Sequence, residues 1–73
     1  MSREEFVKEL EEILETEEEL TEQTVLDEIE EWDSLSKLSL MASAKKEFSK
    51  NLTAAMVREF KTVGDICDAL FSE

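Results

Sequence analysis

The sequence predicts a small all-α protein, a four-helix bundle with three longer helices, one short helix and a long first loop. Three observations point there. Apolar side chains recur at helical spacing in separate stretches. No stretch alternates polar and apolar residues as a half-buried strand does. The chain has no proline and one glycine, so little interrupts a helix.

The first element spans about residues 3–15. Phe6, Leu10, Ile13 and Leu14 fall at i, i+4, i+7 and i+8, with Val7 beside them, and Glu4, Glu5, Glu9, Glu11 and Glu12 cover the other face. An amphipathic helix buries such a stripe. Ser2 is placed to cap it, with Glu5 completing a capping box. Residues 16–33 lose the period. Leu20, Val25, Leu26, Ile29 and Trp32 are spaced irregularly among acids and threonines, which fits a long loop pinned to the core by these side chains. Connections beyond ~12–15 residues are usually functional or internally packed.

A second long helix starts at Asp33-Ser34 and covers about 34–49. Leu35, Leu38, Met41, Ala42 and Phe48 follow helical spacing, with Leu40 and Ala44 alongside. Asp33 is the expected cap, and its charge suits the positive end of the helix dipole. Lys50-Asn51 breaks the pattern. Thr53 caps a short helix over about 54–59. Thr62 opens the last helix, over about 63–71, with Asp65 three residues on as its capping partner. Val63, Ile66, Leu70 and Phe71 line one side of it.

Length and composition exclude several functions. Seventy-three residues are read as one domain, 1–73. With no His and a single Cys, the usual zinc ligand sets, an internal disulfide and Ser-His-Asp or Cys-His catalysis cannot be assembled. No catalytic residue and no metal ligand is therefore assigned. No apolar run approaches the ~20 residues of a membrane span, and Met1-Ser2-Arg3-Glu4-Glu5 is no signal peptide, so no membrane span and a cytoplasmic location are expected. A net charge of −12 would repel nucleic acid. The charge is uneven: residues 1–33 hold 15 acids and 2 bases, residues 34–73 hold 5 acids and 6 bases.

The candidate site is Asp33-Ser34-Leu35. The triplet joins an acidic loop to an amphipathic helix, which puts the Ser34 hydroxyl in the first helical turn. Free backbone N–H groups and the positive dipole end would favour a phosphate esterified there. Asp33 could help orient a metal-bound phosphate donor. Leu35 would anchor the helix start to the core and hold Ser34 outward. Alone, the triplet also reads as an ordinary capped helix start.

With its surroundings, the triplet resembles the acyl carrier proteins, or phosphopantetheine-binding domains. The resemblance covers essentially the whole chain. It takes in Asp33-Ser34-Leu35, then Leu38, Leu40 and Met41, then Glu47-Phe48 and Leu52. Lys61-Thr62-Val63-Gly64-Asp65, continued by Ile66 and Leu70, resembles the Thr-Val-Gly-Asp opening of the family's last helix. The resemblance implies that Ser34 carries 4′-phosphopantetheine, transferred from coenzyme A by a separate phosphopantetheinyl transferase, with Asp33 and Leu35 beside it. An acyl group would ride on the arm as a thioester. The protein would be a monomer that catalyses nothing and is acted on by acyl-transferring or acyl-modifying enzymes. These would dock around helix 2, on Trp32, Ser36, Ser39, Leu40, Ala42, Ser43, Lys45 and Lys46. Phe6, Leu38, Met41, Met56, Val57 and Phe60 would either shelter a fatty chain or form plain core.

One departure from the family matters. Its fatty-acid-synthase carriers usually present acids along helix 2. From Ser34 to Lys50 this chain has four Lys and one Glu. That points away from primary fatty-acid synthesis, toward a specialised polyketide, modified-lipid or surface-glycan pathway. Two alternatives remain: an aminoacyl or peptidyl carrier of the same fold, and an acidic helical interaction module without a prosthetic group. Cys67, between Ile66 and Leu70, reads as a small buried apolar residue.

Overall fold

The computed structural model describes residues 1–71. Four helices follow one another: α1 (Arg3–Leu14), α2 (Ser34–Phe48), α3 (Ala54–Glu59) and α4 (Val63–Phe71), with a single 3₁₀ turn at Leu26–Glu28 inside the first loop. The all-α expectation holds. Among the described residues, extended pairing is limited to an isolated antiparallel bridge between Val25 and Thr62. No helix among them is long and apolar enough to cross a membrane.

Local chemistry sets the boundaries. Ser2 Oγ accepts the Glu5 N–H at 3.2 Å and the Ser2 N–H donates to Glu5 Oε1 at 3.1 Å, which closes the capping box of α1. Thr53 Oγ1 accepts the Met56 N–H at 3.1 Å and so starts α3. Asp65 Oδ2 accepts from the backbone of Lys61 and Thr62, at 2.8 and 3.1 Å, and starts α4. Helices α1 and α2 each stop one residue earlier than the apolar spacing suggests. Glu15 and Ser49 take left-handed backbones there, at φ 56° and 54°, and end the ladder.

Phe6 and Leu10 of α1, Leu26 of the loop, Leu40 of α2, and Val63, Ile66 and Cys67 of α4 are fully buried. Burial pushes the Cys67 thiol up, which keeps it protonated and inert. Phe6, Phe48 and Phe71 meet edge to face, with ring centroids 5.1 to 6.2 Å apart, and tie α1, α2 and α4 together.

The inward face of α2 differs from the expected one. Ser36, Leu40 and Ala44, at i, i+4 and i+8, are buried, whereas Leu35 and Leu38 are 73% and 61% exposed. Leu35 therefore does not anchor the helix start. Apolar residues lie nearly all round α2, so spacing alone leaves its rotation open. The Ser36 hydroxyl, locked into the cap, fixes it.

The long loop is held by Leu20, Leu26 and Ile29, all buried, with Trp32 packed against the core. Val25, expected among the pins, is 38% exposed. Backbone contacts replace it. The Leu26 N–H donates to the Lys61 carbonyl at 2.8 Å, Val63 N–H to Thr24 at 3.0 Å and Gly64 N–H to Glu22 at 2.8 Å. The last contact explains the single glycine: a Cβ at Gly64 would sit 3.0 Å from the Glu22 carbonyl oxygen. Arg3 adds a clasp, reaching Glu22 at 2.6 Å and Asp68 at 2.8 Å. Both pairs are open to solvent, the one to Asp68 more so, and such pairs add little to stability.

One acidic contact opposes folding. Glu9 of α1 faces Glu47 of α2, and one Glu9 oxygen is sealed from solvent without a hydrogen-bond partner. Burial first, then the Glu47 carboxyl, push the Glu9 carboxyl above its ordinary 4.5; Glu12 adds to this and Lys46 pulls back. A carboxyl raised in the folded state stabilises the fold while protonated, and that stabilisation is lost as pH rises through its folded value. Glu5, Asp33 and Asp65 are depressed by hydrogen bonds to their caps, so their contribution is lost at the acid end. Thermal melts should therefore show stability rising as pH falls from neutral into the range where Glu9 takes up its proton, and dropping again at more acid pH as Glu5, Asp33 and Asp65 are protonated. Glu9→Gln should flatten the rise. A melting point that falls steadily from pH 7 downward, in wild type and variant alike, would contradict this account.

Candidate functional site

The site forms where the long loop enters α2. Asp33 is the N-cap residue, extended at φ −128° and ψ −176°. Its Oδ1 accepts the Ser36 N–H at 2.9 Å, and Ser36 Oγ accepts the Asp33 N–H at 2.9 Å. The Ser36 hydroxyl also donates to the Glu31 carbonyl at 2.8 Å. This reciprocal lock clamps the residues on either side of Ser34 and Leu35 and leaves those two exposed. The Ser34 hydroxyl thus stands in the first turn of α2, open to solvent. The Asp33 carboxyl beside it is held below the usual range, chiefly by the Ser36 backbone N–H, so it is ionised at neutral pH.

Two residues expected on the docking surface are not on it. Ser36 belongs to the cap and Leu40 is fully buried against the core. Leu35 and Leu38 are the apolar residues that this stretch of α2 exposes instead. Ser39, Ala42, Lys45 and Lys46 are exposed, Ser43 is half-buried, and Trp32 is half-buried with the Lys37 Nζ 5.5 Å from its ring centroid.

Two hollows flank the start of α2. One, of about 430 Å3, is walled by Glu12, Glu15, Glu31 and Asp33 with Ile13, Leu35 and Ser39. The other, of about 340 Å3, runs between α2 and α3 and is lined by Ser34, Lys37, Leu38, Met41, Ala54, Val57 and Arg58. Of the residues considered for cargo shelter, Leu38, Met41 and Val57 line this groove. Phe6 lies in the aromatic cluster, and Met56 and Phe60 do not reach the groove. Sequence reasoning passed over Lys37 and Arg58. Lys37 lies three residues after Ser34, a same-face spacing that could have shown it. Arg58 arrives by the packing of α3, for which the sequence carries no local signal.

An exposed primary alcohol, an ionised carboxylate beside it and a groove with two cations over an apolar floor suit a phosphate-linked arm. A family model described as a phosphopantetheine attachment site matches residues 4–70. The solution NMR structure of a holo acyl carrier protein from Geobacter metallireducens shares the fold at a TM-score of 0.75 and 23% identity, over 93% of this chain and 79% of that one. No curated protein sequence matches the chain.

Proposed function

Since the chain belongs to the phosphopantetheine-attachment family, and so carries that group covalently, we propose that Ser34 is the residue that holds it and that the protein serves a specialised acyl pathway. The observation that carries the assignment is the Asp33–Ser36 lock, which presents the Ser34 hydroxyl to solvent at a helix start. Family membership sets aside the interaction module without a prosthetic group. Once attached, the group supplies a terminal thiol for an acyl cargo. This chain's own residues hold and present: Asp33 fixes the helix start and stays ionised beside the hydroxyl, and α2 offers the surface on which enzymes dock. The protein acts as a substrate for a phosphopantetheinyl transferase using coenzyme A, and then for acyl-handling enzymes, rather than as a catalyst.

The specialised role rests on that surface. Leu35, Leu38, Ser39 and Ala42 lead to Lys45 and Lys46, with no acid among them. A partner shaped for an acidic helix finds little Coulomb attraction there. Incubation with a broad phosphopantetheinyl transferase and coenzyme A should raise the intact mass by one pantetheine phosphate. Ser34→Ala should abolish the gain completely and leave the helical circular dichroism unchanged. A mass gain that survives in Ser34→Ala removes the assignment.

A further inference from the structure

The α2–α3 groove holds two cations in a chain with 20 acids and 8 bases. No Asp or Glu lines it. Among the described residues, neither Lys37 nor Arg58 makes a salt bridge, while Arg3 makes two. Ser34 lines the same groove, so an anion attached to it would meet two bases and no carboxylate. The Lys37 ammonium is held over the Trp32 ring, which keeps it beside the start of α2. Arg58 faces it from α3, with a planar fork suited to phosphate oxygens. Beyond them Leu38, Met41, Ala54 and Val57 give an apolar floor.

We propose that Lys37 and Arg58 clamp the phosphodiester that joins the arm to Ser34 and so lay the arm along the α2–α3 groove. This rests on Ser34 being the attachment residue. The phosphodiester bears one negative charge and begins at a side chain that already lines the groove, so the occupant is this chain's own prosthetic group. The floor then takes the less polar stretches of the arm. Docking is held by one exposed and one half-buried cation and screens with salt, so an enzyme can lift the arm away.

The test compares amide spectra of 15N-labelled protein before and after loading, with intact mass confirming the state of each sample. In wild type, loading should shift the amides at the start of α2 and also those of Ala54, Val57 and Arg58 across the groove. The α3 shifts should shrink as salt is raised. In Lys37→Gln/Arg58→Gln the shifts at the start of α2 should persist and those of α3 should vanish. A wild-type sample that gains the mass but shows silent α3 amides overturns the clamp alone. So does a double variant, folded by its amide dispersion, that keeps the α3 shifts. A wild-type sample that gains no mass overturns the attachment reading and the clamp with it.

Discussion

Phe6→Ala should bring the protein close to its unfolding midpoint at room temperature. Phe6 is fully buried and meets both Phe48 and Phe71 edge on. Removing a buried Phe costs about 3–5 kcal/mol, because transfer free energy is lost and a cavity remains. A domain of this size has a total stability of roughly 4–11 kcal/mol. Its single Cys cannot form an internal disulfide, and Glu9 facing Glu47 already costs it part of that total at neutral pH. The variant should therefore sit near its unfolding midpoint without denaturant. Phe6→Leu, which keeps most of the volume, should lose less than half as much. Urea melts followed by circular dichroism give both numbers. A loss below about 2 kcal/mol for Phe6→Ala would mean the three rings are not the centre of the core.

The second large effect concerns partner choice. Ser39→Glu/Lys45→Glu/Lys46→Glu gives α2 the acidic face it lacks. A fatty-acid-synthase ketosynthase with a basic docking patch should turn over the loaded variant faster than wild type, by about tenfold or more at low salt. The gain should lie mainly in association and fade as ionic strength rises. Ser36 is left alone because its hydroxyl holds the cap, and an acid there would break the helix start. Replacing Lys45 and Lys46 in the last turn of α2 removes favourable dipole contacts, each worth about 0.3–1 kcal/mol, and losing Lys46 beside Glu9 and Glu47 adds to that cost, so the variant's helical circular dichroism is checked first. Wild-type turnover equal to that of the acid-faced variant would remove the electrostatic support for a specialised pathway.

Helix limits were legible because their signals are local. Ser2 with Glu5, Asp33, Thr53 and Thr62 with Asp65 each act within four residues, and the structure places every helix within a residue of them. The rotation of α2 was not legible. Leu35, Leu38, Leu40, Met41 and Ala44 offer two candidate faces, and the choice is made by packing on α1 and by a buried serine that an apolar search ignores. Long-range polar contacts escaped for a similar reason. Arg3 reaches Glu22 and Asp68 across 19 and 65 residues, and Glu9 meets Glu47 only once α1 lies on α2. At the attachment site the triplet was visible. The cationic groove was not, because one wall of it belongs to α3.

The stacking of Lys37 over Trp32 makes the protein its own optical probe. Trp32 is the sole tryptophan and the chain has no tyrosine, so near-ultraviolet emission comes from one indole two residues before Ser34. Its ring is half-buried, with an ammonium 5.5 Å from its centre. Anything that draws Lys37 away or covers the ring alters the quantum yield at that one place. Stopped-flow fluorescence can thus follow events at the start of α2 in real time, without an attached dye on a surface where a dye would itself obstruct docking.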